Sequence, residues 1–222
     1  MAIKPILFNT EMVRAILDGR KSCTRRVIKF PVNRYTNNVP LADKVVVQEL
    51  RCDKVNFLEE PFFSYGMNLP YQPGDILYVR ETWQYLYELD GNEQVIEDTG
   101  KYYYAATDTI PFNTYVDENG VRHDHAPWRP SIHMPKEAAR IWLKVTNVRV
   151  ERLQKITTNQ IEQEGVETEY PHVLNGEENK YAFQNLWNST IKKSDLDFYG
   201  WDANPWVWVI EFERCEKPGS EV

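Results

Sequence analysis

Near the end of the chain, residues 205–215 read PWVWVIEFERC, and Trp206, Trp208, Ile210 and Phe212 alternate with Val207, Val209, Glu211 and Glu213. A period of two sends successive side chains to opposite faces of an extended strand and does not fit the 3.6-residue stripe of a helix. Such a strand needs partners, because its backbone donors and acceptors must be paired. The sequence offers three. ARIWLKVTNVRVERL carries Ile141, Leu143 and Val145 on one face, and in YQPGDILYVRETW a Pro-Gly-Asp turn feeds a strand from Ile76 to Val79. CTRRVIKF is the third, with Thr24, Arg26 and Ile28 on one face and Cys23, Arg25 and Val27 on the other.

Helices are few and short. Asn9 or Thr10 caps one that bears Met12, Val13, Ile16 and Leu17 at helical spacing, and Gly19 ends it in a left-handed turn. TTNQIEQEGV is a short helix capped by Thr157 or Thr158, and YAFQNLWNSTI is another. Residues 31–70 mix prolines, asparagines and charges around one apolar run, KVVVQEL, which predicts a loop-rich insertion holding a hairpin. Residues 84–128 are polar and Tyr-rich with DGN and ENG turns, and read as an extended hairpin insertion in which KYYYAATD supplies a strand. The expectation is one α+β domain over residues 1–222. It is a twisted, mainly antiparallel sheet, partly closed into a barrel, with short flanking helices and those two insertions.

A content of 42% hydrophobic and 13% aromatic residues supplies a core for this sheet. No apolar run approaches the roughly 20 residues that span a bilayer. The amino terminus MAIKPILFNTEMVRAI lacks the basic, apolar, small-residue order of a secretory signal. No membrane partner and a cytoplasmic location are therefore expected. Cys23, Cys52 and Cys215 are odd in number and widely spaced, which predicts reduced thiols rather than a disulfide framework or a paired-cysteine zinc site. His123, His125 and His133 match no established zinc spacing, so no metal is expected.

Charge points to a local site. A net charge of -7 argues against coating nucleic acid by bulk electrostatics. Up to residue 35, however, eight basic residues face two acidic ones, and the densest part is GRKSCTRR at residues 19–26. A basic patch on an acidic body suits a small anion, one nucleotide or a short single-stranded RNA. The bland alternative is a solvated basic turn, with Thr24 an ordinary strand former and Glu164 a helix-end carboxylate. Cys23 is expected to pack, and Ser22 to belong to the turn. Arg80, Glu81 and Trp83 follow the Ile76 strand. Either Arg80 meets a phosphate and Trp83 a base, or Arg80 pairs near Glu81 and Trp83 packs beneath the insertion.

Taken in order, ILDGRKSCTRRVI, PGDILYV, IEQEGV and WVIEFE resemble the landmarks of the ASCH domain, a branch of the PUA-like barrel superfamily, over roughly half the chain. The family signature G-x-K-x-x-E-x-R falls on Gly19, Lys21, Thr24 and Arg26, with threonine in place of the usual glutamate. In that substitution the sequence is similar to small bacterial ASCH enzymes that remove acetyl from 4-acetylcytidine. The resemblance implies Lys21 as base, Thr24 as nucleophile and Glu164 as acid partner of an amidohydrolase without metal or organic cofactor; residues 21 and 24 of an unbroken strand point to opposite faces, and the Gly19 turn is read as freeing Lys21 to face Thr24. Arg20, Arg26, Arg80, Glu81 and Trp83 complete the candidate ligand-binding set. VRETW and WRPSIHMPKEAARI also resemble long ASCH proteins of bacteriophages and prophages, implying a bacterial host cell. Three functions stay open: an amidohydrolase on the exocyclic amine of cytidine, a non-catalytic reader of RNA or a modified base, and a phage factor that binds another protein.

Overall fold

The computed structural model describes residues 1–29, 45–50, 54–59, 63–90, 92, 94–111, 115–116, 118–167 and 177–219. In chain order its elements are β1 (Ile3–Leu7), α1 (Thr10–Leu17), β2 (Cys23–Val27), β3 (Val45–Leu50), β4 (Lys54–Glu59), β5 (Phe63–Asn68), β6 (Ile76–Arg80) and β7 (Trp83–Leu86). Next come β8 (Lys101–Tyr104), β9 (Tyr115–Val116), β10 (Arg122–His123), β11 (Trp142–Arg152), α2 (Thr158–Gln163), α3 (Glu177–Thr190), α4 (Leu196–Tyr199) and β12 (Trp206–Cys215). Among the described residues no helix is long and apolar enough to cross a membrane.

The class is α+β, and the principal sheet is five-stranded and mainly antiparallel, in the order β1-β6-β11-β12-β2. β2 runs antiparallel to β12, with Thr24 opposite Ile210 and Arg26 opposite Trp208. β1 pairs with β6 in parallel, Ile3 opposite Ile76. This strand is absent from the sequence expectation because Pro5 interrupts its signal; a proline without an N–H is tolerated at a sheet edge, where β1 lies. The order starts at β1 and ends at β2, so among the described residues the sheet is open. The expected α+β class and mainly antiparallel sheet are present, and the expected partial closure into a barrel is not seen among these residues.

The chain divides into two compact units, one of residues 1–2, 19–75 and 144–213, the other of residues 3–18, 76–143 and 214–222. In the second unit α1 is capped by Asn9, whose Oδ1 accepts from the Met12 amide at 2.8 Å, and it buries Val13, Ala15 and Ile16. Ile76, Trp83, Met134, Ala138 and Trp142 form the core of this unit, with Tyr78 and Tyr102 packed against them. Each large side chain buried this way contributes about 1.5–3 kcal/mol. The Tyr-rich stretch carries the β7–β8 hairpin, with Trp83 opposite Tyr104.

In the first unit the alternation of β12 hides a second buried face. Val207 and Val209 pack with Cys23, Leu153, Phe183 and Trp187, while Trp208, Ile210 and Phe212 on the opposite face are buried as well. An internal strand is covered on both sides, which a single-face reading does not anticipate. Thr157 and Gln160 close a reciprocal capping box at the start of α2. Asn179, Phe183 and Trp187, four residues apart, form the buried stripe of α3. β3, β4 and β5 make a three-stranded antiparallel sheet where the sequence predicts one hairpin. The rest of the loop-rich insertion expected over residues 31–70, at 31–44, 51–53 and 60–62, lies outside the described residues, as does residue 30 at the end of the expected CTRRVIKF strand.

Candidate functional site

The chain enters β2 through Gly19, whose φ of +76° is a left-handed conformation that glycine adopts without penalty. Strand pairing begins two residues later. The Ser22 amide donates to the Gln163 carbonyl at 2.9 Å, the Ser22 carbonyl accepts from the Phe212 amide at 2.9 Å, and Lys21 forms an antiparallel bridge with Glu164. The pleat of β2 therefore runs back to Lys21 and puts Lys21, Cys23 and Arg25 on one face.

Glu164, the residue that ends α2, meets that face. Lys21 Nζ donates to Glu164 Oε2 at 2.7 Å and to the Glu164 carbonyl at 2.8 Å. Arg25 Nη1 donates to Glu164 Oε1 at 3.1 Å, and its Nη2 donates to Glu151 Oε1 at 2.7 Å and to Gln160 Oε1 at 3.0 Å. The side chains of Lys21 and Arg25 are 0% exposed and that of Glu164 4%. Arg149 joins the cluster through Glu151 at 3.5 Å and pairs with Glu211 as well, so three cations face three carboxylates and the charge is balanced, as buried charge must be. Arg25 Nε has no hydrogen-bond partner among the described residues.

The structure brings Lys21 and Glu164 together and leaves Thr24, itself buried, on the opposite face of β2. The Gly19 turn does not aim Lys21 at Thr24, because strand pairing resumes at Lys21 rather than after it. Cys23 packs as expected, with its Sγ 3.8 Å from Glu164 Oε1. Burial, reinforced by the Glu164 carboxylate and opposed by Arg25 and Lys21, pushes its thiol up to about 12.

Arg26 lies on the Thr24 face. Burial lowers the pKa of its guanidinium, against the raising influence of Tyr71 and Glu164, while burial raises that of the Tyr71 phenol. Arg20 pairs with Glu167 at 3.0 Å and donates to the Gly165 carbonyl at 3.2 Å. A cavity of about 530 Å³ opens beside it, lined by Arg20, Ser22, Asn159, Gln163, Glu167 and Asn179, among others. A second cavity of about 350 Å³ lies along the other end of β2, between Arg26 or Lys29 and Trp187, Lys192 or Tyr199.

The three remaining candidates belong to the second unit and are held by it. Arg80 Nε donates to the Met134 carbonyl at 2.7 Å. Glu81, 1% exposed, receives Arg140 on both carboxylate oxygens at 2.9 Å, and the Arg140 guanidinium lies 4.0 Å from the centre of the Tyr104 ring. Trp83 packs against Tyr102 with Arg129 5.3 Å from its ring centre, and its indole N–H has no acceptor among the described residues. His123 falls in β10, and His133 in a single 3₁₀ turn.

Sequence reasoning missed Arg25, Glu151 and Gln160 as parts of the cluster. The alternation of β2 puts Arg25 beside Cys23, but the carboxylates it binds lie 126 and 139 residues away, and nothing local marks them. Comparison of the chain with protein-family models, with curated proteins and with solved structures finds no match.

Proposed function

We propose that this chain is a PUA-like protein of the ASCH type that binds a nucleoside or a single RNA base, and that the 530 Å³ cavity receives it. The supporting observation is the origin of the cavity walls. Gly19, Arg20 and Ser22 come from the GRKS landmark, and Glu162, Gln163 and Val166 from the IEQEGV landmark. The volume lies within the range of small-molecule sites. Asn159, Gln163 and Asn179 each carry an amide with donors and an acceptor, the chemistry that reads the Watson–Crick edge of a base.

A second reading, amide hydrolysis, draws on the 2.7 Å hydrogen bond between Lys21 and Glu164. Moving one proton across it turns the ion pair into a neutral amine and a neutral acid. Those are the forms that take a proton from a nucleophile and give one to a leaving amine. The place of Thr24 on the other face of β2 ranks binding ahead of hydrolysis. The deciding experiment incubates purified protein and a Lys21→Ala control with 4-acetylcytidine, follows cytidine by chromatography, and measures cytidine binding by calorimetry. Saturable binding without product supports a reader, and product that depends on Lys21 supports the hydrolase. Neither binding nor product overturns both.

A further inference from the structure

The 350 Å³ cavity shares no lining residue with the 530 Å³ cavity, and of the sequence candidates Arg26 borders it. Its β2 side supplies Arg26, Val27 and Lys29, and its far side, running from α3 to α4, supplies Trp187, Ile191, Lys192 and Tyr199. Arg25 also borders it, but that guanidinium is matched by Glu151 and Glu164. Lys29 and Lys192 are exposed, and neither has an ion-pair partner among the described residues. Among the described residues Asp195 is the one carboxylate in the lining. The result is a concave, net positive surface on a chain whose total charge is -7.

The aromatic wall is set in advance. Trp187 Nε1 donates to the Tyr199 carbonyl at 2.8 Å and ties α4 to α3. The Lys29 ammonium stands 5.7 Å from the centre of the Tyr199 ring, so cation and ring face the same space. Val27 and Ile191 add apolar surface. Cations beside a ring suit a ligand that is dianionic at one end and flat at the other, and a phosphate monoester carries about -1.5 to -2 charges at neutral pH. The volume sits near the low end for small-molecule sites, which favours one nucleotide over an extended strand.

We infer that this cavity is a second site, distinct from the nucleoside cavity, for the phosphate monoester of a nucleotide, with Lys29 and Lys192 on the phosphate and the base against Tyr199 and Ile191. Asp195 accepts from the ribose hydroxyls, a task carboxylates perform in other nucleotide sites. A free mononucleotide and the 5′ end of an RNA present the same group.

The test is calorimetry with cytidine, cytidine 5′-monophosphate and a 5′-phosphorylated trinucleotide, on the wild-type chain, the Lys29→Gln/Lys192→Gln variant and Asn179→Ala. The wild type is expected to bind the monophosphate at least about tenfold more tightly than cytidine, and more weakly as salt rises. The lysine variant loses that gain, whereas Asn179→Ala, which alters the nucleoside cavity and not this one, keeps the wild-type affinity for the monophosphate. The same gain with the trinucleotide assigns the site to an RNA end, and its loss assigns it to the free nucleotide; either supports the inference. Both lysines are exposed, and a thermal melt checks that the variant folds. Equal affinity for cytidine and its monophosphate, or a gain retained without the two lysines, overturns the inference. Failure of cytidine alone to bind counts against the nucleoside reading and leaves the phosphate-dependent gain measurable.

Discussion

Replacing Glu164 by glutamine keeps the shape of the side chain and removes the anion that Lys21 and Arg25 share. Arg25 retains Glu151 at 2.7 Å, whereas Lys21, wholly buried, loses its carboxylate. Breaking a buried pair from one side costs about 3–5 kcal/mol, because the remaining charge stays out of water with its carboxylate gone. For a chain of this size that corresponds to a fall in Tm of roughly 6–20 °C, at about 2–4 °C per kcal/mol. Lys21→Met is expected to cost less, since Glu164 keeps Arg25 at 3.1 Å. Adding Lys21→Met to Glu164→Gln removes the buried ammonium whose carboxylate is gone, and the double variant regains most of the loss. Urea unfolding monitored by tryptophan fluorescence measures all four chains. A Glu164→Gln chain within about 1 kcal/mol of wild type, or a double variant no more stable than the single one, refutes the reasoning.

The Cys23 thiol, raised from about 9 to about 12, holds its proton more tightly in the folded chain than in the unfolded one. Its contribution to stability is complete below about pH 9 and is lost as pH rises towards 12, so alkaline unfolding of wild type against Cys23→Ala should show a steeper decline in wild type. Near pH 8, native protein should alkylate the partly exposed Cys215 much faster than Cys23, as peptide mass mapping reveals. Gly19→Ala meets no atom within 4 Å, so its cost is the left-handed backbone alone, about 1–2 kcal/mol by denaturant titration; a loss above about 4 kcal/mol contradicts that account. Glu81→Gln weakens a two-point contact with the partly exposed Arg140 and should cost about 1–3 kcal/mol, less than Glu164→Gln.

The elements legible in the sequence are those whose signal is local. Asn9, Val13 and Ile16 announce α1, Gly19 its exit, Thr157 and Gln160 the start of α2, and the period of two reveals β2 and β12. Pairing is not local. The parallel partnership of β1 with β6 is masked by Pro5, and the second buried face of β12 comes from its neighbours on both sides. The same division runs through the site. Lys21 and Glu164 are found through the resemblance, and they do meet, but which face of β2 Lys21 joins depends on where the bridge to Glu164 begins. The cavity beside Tyr199 escapes sequence reading, because α3 and α4 reach β2 only in the folded chain.

The register between β2 and β12 joins Val27 to Val207, about 180 residues apart. A ribosome adding roughly 5–20 residues per second needs some 9–36 s to cover that distance. During that interval the basic segment has been made, while Glu151, Glu164 and then β12 have yet to emerge. The cluster around Glu164 is therefore assembled late, and a nascent chain halted before Trp206 holds β2 with its sheet partner missing.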